Sequence, residues 1–164
     1  MMQITEGFGL PDGMGREDQW TWFHCSPGDK LGLLILSEKP YGYAGHYVRG
    51  RMRNCAGEGC KTCERGIGKQ ARYVMSACRI RDGKIGILEV GRPAALMIRE
   101  LAQGRGRLRG LAIQLEREGV SKHSRIEVAA FEGIVPKPFE SFPALDVPRV
   151  LELTWATGLS ASRD

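Results

Sequence analysis

Short apolar runs separated by turn residues fill most of the chain, and the majority alternate with a period of two, the spacing of a half-buried strand. Trp20-Thr21-Trp22-Phe23-His24-Cys25 predicts a strand, Ser26-Pro27-Gly28-Asp29 a turn, and Leu31 to Leu36 a strand buried on both faces, so the pair reads as a hairpin. Lys39 to Gly45 then breaks the pattern, and the stretch that runs on to Gly68 has almost no aliphatic residues. Such a stretch cannot bury a core of its own and needs another source of order. Arg72 to Ile80 and Ile85 to Val90, joined at Arg81-Asp82-Gly83-Lys84, read as a second hairpin. Pro93 then opens a short helix with Ala94, Met97, Ile98 and Leu101 on one face and Gly104 as its terminator. Leu108 to Glu116 and Arg125 to Phe131 alternate like strands around a loop at Glu118 to Ser124 that contains His123.

Five or so short strands with one helix between the early and late ones predict a mainly β domain. Its architecture is a small, partly open five-stranded Greek-key barrel of the oligonucleotide-binding (OB) type, whose loops tolerate insertions. A β-rich α+β domain without barrel closure fits the same pattern. Residues 1–19, rich in Gly, Asp and Glu, read as an N-terminal arm, and 20–133 as the core, with an insertion at about 39–68. Residues 134–164, with Pro136, Pro138, Pro143 and Pro148, read as an irregular segment that packs on the core, Val150 to Trp155 being its one apolar stretch.

Composition adds a compartment and a charge pattern. No run approaches the ~18 apolar residues of a membrane-spanning helix, and Met1 to Glu6 lacks the charged and apolar regions of a signal peptide, so the expected location is a cytoplasm, without a membrane partner. Five cysteines in a reducing compartment point to metal chemistry before disulfides. The formal charge of +5 conceals a basic middle: Lys39 to Arg125 carries a net +12, and the rest of the chain is acidic. A basic stretch of this kind attracts polyanions and can neutralise phosphates.

The sharpest chemical pattern is His46-x8-Cys55-x4-Cys60-x2-Cys63. Two cysteines separated by two residues can present both thiolates to one cation, and a third Cys and a His complete a tetrahedron, which is a closed structural Zn2+ site. Cys78, Cys25 or His24 could replace His46 as the fourth ligand if the fold brings them near, but Cys25 and Cys78 sit in apolar strand contexts that favour a core position.

Around this segment, rings and cations alternate: Tyr41, Tyr43 and Tyr47, then Arg49, Arg51 and Arg53, with Tyr47 in phase with the arginines if the segment is extended. Lys69, Arg72 and Tyr73 follow at the head of the next strand, and Arg105, Arg107 and Arg109 repeat the Arg-x-Arg-x-Arg spacing among glycines. Single-stranded nucleic acid offers phosphates to cations and base faces to rings, and these residues are the candidates to bind it. The competing reading places Tyr41 and Tyr43 over the core, with the arginines solvated.

The succession of a buried strand, His46-Tyr47, Cys55-Ala56-Gly57-Glu58-Gly59-Cys60-Lys61-Thr62-Cys63 and Tyr73 in a following strand resembles the zinc-containing single-stranded DNA-binding proteins of bacteriophages, of the T-even helix-destabilising type. The resemblance implies an OB barrel with an inserted His-Cys-Cys-Cys zinc subdomain that binds single strands during replication, recombination and repair, together with proteins of those processes. By position it makes His46, Cys55, Cys60 and Cys63 the ligands. Two features differ from the better-known members: the N-terminus is acidic instead of basic, and the 29 residues from Pro136 carry 3 Lys+Arg and 4 Asp+Glu instead of a long acidic tail.

Enzymatic readings fit poorly. A zinc nucleobase deaminase needs His-x-Glu and Pro-Cys-x2-Cys, where this chain has His46-Tyr47-Val48 and Asn54-Cys55. A nuclease needs clustered carboxylates, and those of the basic middle are scattered. The expected protein is therefore a binding protein, not an enzyme. The alternative left open is a zinc-stabilised adaptor that binds protein or structured RNA within a nucleoprotein complex.

Overall fold

The computed structural model describes residues 20–121, 124–135 and 139–157. The arm at 1–19, His123, Pro136 and Pro138 lie outside the described residues. The elements in chain order are β1 Thr21–Phe23, β2 Lys30–Ile35, β3 Tyr41–Val48, β4 Arg51–Asn54, α1 Lys61–Glu64, β5 Gln70–Arg79, β6 Ile85–Gly91, α2 Arg92–Arg105, β7 Ala112–Arg117, β8 Ile126–Ala130 and α3 Val147–Thr157, with a 3-10 turn at Phe139–Ser141. The protein is mainly β, and where five strands were expected the eight described strands form one open sheet in the order β1-β6-β5-β2-β7-β8. The long strand β5 pairs through Gln70–Val74 with β3 and through Ala77–Arg79 with β2 on the same edge, and β4 extends the sheet from β3.

The hairpin expected between Trp20–Cys25 and Leu31–Leu36 does not form. β1 instead runs parallel to β6, and β2 lies between β5 and β7. The cause is the unbroken apolar run: Leu33, Leu34, Ile35 and Leu36 are all fully buried, which demands cover on both faces and so a central strand. β1 can reach β6 because residue 86 is glycine; a Cβ there would collide with the Thr21 carbonyl oxygen. Gly86→Ala is therefore expected to destabilise by ~1–3 kcal/mol, the usual cost of overpacking. Gly104→Ala, in an open helix interior, should gain roughly 0.5–1 kcal/mol. Thermal melts of the two variants check both signs.

The expected second hairpin is present as β5 and β6, and β7 pairs with β8. The helix ends two residues later than expected. Gly106 (φ 90°) is its left-handed cap, donating to the carbonyls of Ala102 and Gln103, and Gly104 is helical.

Both faces of the sheet are covered. On one, Leu33, Ile35, Met75, Ala77, Leu88, Val90, Ile113 and Leu115 pack under Ala94 and Ile98 of α2. On the other, Val74 and Ile87 pack under Val147, Val150 and Leu151 of α3, and Leu34, Leu36 and Cys78 under Val135, Phe139 and Phe142. Val147–Thr157 of the C-terminal stretch is thus helical where an irregular path was expected. Asp146 accepts the Arg149 N–H on its side chain, and Pro148 occupies the first turn, where its missing N–H costs nothing. Ser76 Oγ, fully buried, accepts the Leu145 N–H at 2.9 Å and fixes the approach to this helix.

Candidate metal centre and basic groove

β3 and β4 join through Arg49 and Gly50, both left-handed (φ 50° and 79°), so the chain reverses in two residues. Past β4, the Cys55 N–H donates to the Ala44 carbonyl at 2.9 Å, and Gly57 and Gly59, at φ 80° and 75°, fold the next residues back. The single turn of α1 then presents Cys63.

His46, Cys55, Cys60 and Cys63 converge, their donor atoms all lying within 4.8 Å of one another. Cys63 Sγ is 3.4 Å and Cys60 Sγ 3.6 Å from His46 Nε2, and Cys55 Sγ is 3.6 Å from Cys63 Sγ. Sulfurs at about 2.3 Å and a ring nitrogen at about 2.0 Å from one centre would stand about 3.5–3.8 Å apart in a tetrahedron, so the four donors fit a metal ion. His46 is 1% exposed, and its Nδ1 lies 3.1 Å from the Gly68 carbonyl. Donation from Nδ1 leaves the Nε2 lone pair pointing at the sulfurs, the tautomer a metal requires. Backbone N–H groups of Cys63 and Ala56 pull the Cys60 thiol down to about 6, whereas burial and the neighbouring Cys55 and Cys60 sulfurs push Cys63 up to about 11. Three sulfurs cannot all be anionic in this space without a cation among them.

The other donors considered for the fourth corner stay apart. Cys25 is buried beside Leu115, Cys78 is buried with Leu34 and Leu36, and His24 is exposed next to β1.

The candidate strand-binding residues divide into engaged and open groups. Tyr41 and Tyr43 face the α3 layer: Tyr43 meets Trp155 edge-on at 4.9 Å, and the Lys39 ammonium lies 5.7 Å over the Tyr41 ring. Arg72 is paired with Glu89 at 2.8 Å. The cluster at 105–109 is tied into the fold. Arg105 Nη1 and Arg107 Nε both donate to the Arg109 carbonyl, at 2.7 and 3.0 Å, and Arg105 also lies over the Phe139 ring. Arg109, with its side chain 14% exposed, donates to the carbonyls of Leu36, Phe142 and Glu140 and lies 3.8 Å from Glu38. It pins the 139–142 segment to the sheet.

The side chains of Arg49, Arg51, Arg53 and Lys69 are exposed and have no hydrogen-bond or ion-pair partner among the described residues. Tyr47, 43% exposed, is not in phase with the arginines as expected: the two-residue turn pairs it with Met52, while Arg51 and Arg53 share the opposite face with Val48 and His46. An open groove of about 500 Å3 runs along β3 and β5, lined by Gly42, Tyr43, Ala44, Lys69, Gln70, Ala71, Arg72 and Tyr73; by register Gly42, Ala44, Ala71 and Tyr73 share the sheet face of Arg51 and Arg53. Tyr73 is half-buried at the edge of the α2-side core and lies across Gly42, where a Cβ would sit 3.5 Å from its ring. The small residues of this floor were visible in the sequence as an alternation, Gly42-x-Ala44 against Ala71, but the absence of large side chains carries no signal until the two strands are paired.

The chain matches no protein family, and no curated protein or solved structure matches it significantly. No helix among the described residues is long and apolar enough to cross a membrane.

Proposed function

We propose that this protein binds single-stranded DNA without reading its sequence, and that one structural Zn2+ ion at His46, Cys55, Cys60 and Cys63 holds the segment beside the binding groove. The observation that carries the proposal is a groove with a small-residue floor, lined by exposed Lys69 and by Tyr73, on the sheet face to which register also assigns exposed, unpaired Arg51 and Arg53. Small side chains let a strand approach the sheet, cations take its phosphates, and a ring offers a base a sequence-tolerant stacking surface. The metal segment begins at the Ala44 carbonyl and ends at Gly68, directly before Lys69, so ordering by the metal also fixes the start of the groove.

A soft thiolate and imidazole donor set favours Zn2+. Four protein ligands leave no open position for a reacting water, so the proposal includes no catalytic step. The core is taken as OB-type: β6-β5-β2-β7-β8, with α2 between β6 and β7, is the order of a five-stranded OB sheet, to which β1, β3 and β4 are added. Replication, recombination or repair is the proposed setting.

Tyr73→Ala is expected to weaken binding to a single-stranded homopolymer by ~1–3 kcal/mol. Lys69→Ala and Arg53→Ala should each reduce the slope of log affinity against log salt by about 0.7. Wild-type affinity and slope in all three variants would refute the groove as the binding surface.

A further inference from the structure

We infer that Cys55 and Cys63 form a peroxide-sensitive modification site, oxidised to a disulfide with ejection of the metal ion; this rests on the zinc reading above. Exposure singles out the pair. Cys25, Cys60 and Cys78 are buried, whereas Cys55 and Cys63 are half-exposed, with their sulfurs 3.6 Å apart. A small oxidant therefore reaches these two sulfurs first. They need approach by only about 1.5 Å to reach a disulfide bond length. The loop they would close contains Gly57 and Gly59, which already fold the backbone back on itself.

In the first step, one thiolate attacks hydrogen peroxide. An S–O bond forms, the O–O bond breaks, and the departing hydroxide takes a proton to become water. In the second step, the other thiolate attacks the sulfenic sulfur. The S–S bond forms, the S–O bond breaks, and the departing hydroxide takes a proton from solvent to leave as a second water. The two sulfurs together give up two electrons, the peroxide takes them, and the zinc ion keeps its charge. Only Cys60 and His46 then remain as ligands, too few to hold the ion. The new bond takes over from the metal as the clasp of residues 55–63, and a dithiol reductant restores the original ligand set.

The test uses the full chain, freed of reductant after zinc loading and treated with hydrogen peroxide in the presence of a chromophoric zinc chelator. The expected result is release of one zinc per chain and a single Cys55–Cys63 bridge by peptide mapping, with Cys60 still open to alkylation after unfolding. The oxidised protein should also melt above the reduced, chelator-stripped protein, and both changes should reverse with dithiothreitol and added Zn2+. The double variant Cys25→Ser/Cys78→Ser should respond like the wild type. Zinc retained under peroxide that oxidises a free dithiol, or a Cys60–Cys63 bridge, would overturn the inference. Protein that never holds zinc would refute the zinc reading instead, and peptide mapping of that protein would still decide whether Cys55 and Cys63 pair.

Discussion

Cys60→Ser is expected to abolish stable metal binding and to loosen residues 55–68 while the helix-covered sheet stays folded. Between Arg49 and Lys69 only Cys60 is buried, at 6% exposure, so this stretch has no apolar core to fall back on. Structural zinc binding is worth about 10–16 kcal/mol in small zinc-dependent domains, comparable with the whole stability of an ordinary domain. Losing one of the four ligands therefore removes more free energy than any local hydrogen bond can return. The sheet beyond is held by the separate clusters under α2 and α3, which the four metal donors do not join. Elemental analysis and hydrogen exchange check the two halves of this expectation. Zinc retention in the variant, or unchanged exchange at 55–68 after chelation, would contradict it.

Arg109→Ala is expected to destabilise the fold by ~2–4 kcal/mol. Its guanidinium serves three carbonyls, of Leu36, Phe142 and Glu140, and an unsatisfied buried polar group costs about 1–3 kcal/mol. The loss would also free the 139–142 segment that covers Leu34 and Leu36. Arg107→Ala, on an exposed side chain with one bond to the Arg109 carbonyl, should shift stability by less than about 0.5 kcal/mol and leave the salt slope of DNA binding unchanged. Equal effects of the two substitutions in chemical denaturation would contradict this division of roles. The sequence-based expectation made both clusters phosphate contacts; the side chains at 49–53 have no partner among the described residues, whereas Arg105, Arg107 and Arg109 each donate to a backbone carbonyl.

The metal donors were legible because their chemistry is local: three cysteines within nine residues and a histidine on the strand before them leave the fold little freedom. The β5–β6 hairpin was legible for the same reason, since a Gly-containing turn joins two alternating runs. What escaped depends on partners distant in sequence. Nothing near Trp22 says that β1 will lie parallel to β6, 65 residues away, since Gly86 only permits that pairing. Pro148 reads as a breaker until Asp146 is seen capping the helix in which it is a first-turn residue. Tyr41, Tyr43 and Tyr73 look alike in the sequence, yet strand parity packs the first two against the α3 layer and the third at the edge of the α2-side core. Arg109 could not be told from Arg53 by spacing, because its acceptors lie more than 30 residues away on either side.

The most direct measurement of the central claim is a fluorescence titration of the wild-type protein with single-stranded DNA, single-stranded RNA and duplex DNA of equal length, repeated across salt concentrations. The account predicts binding to single-stranded DNA homopolymers irrespective of base and weaker binding to duplex. Three phosphate contacts, at Arg51, Arg53 and Lys69, predict a slope of log affinity against log salt near about −2, at ~0.7 per phosphate. No binding to single strands at low salt, or duplex or structured RNA bound more tightly than single-stranded DNA, would contradict it.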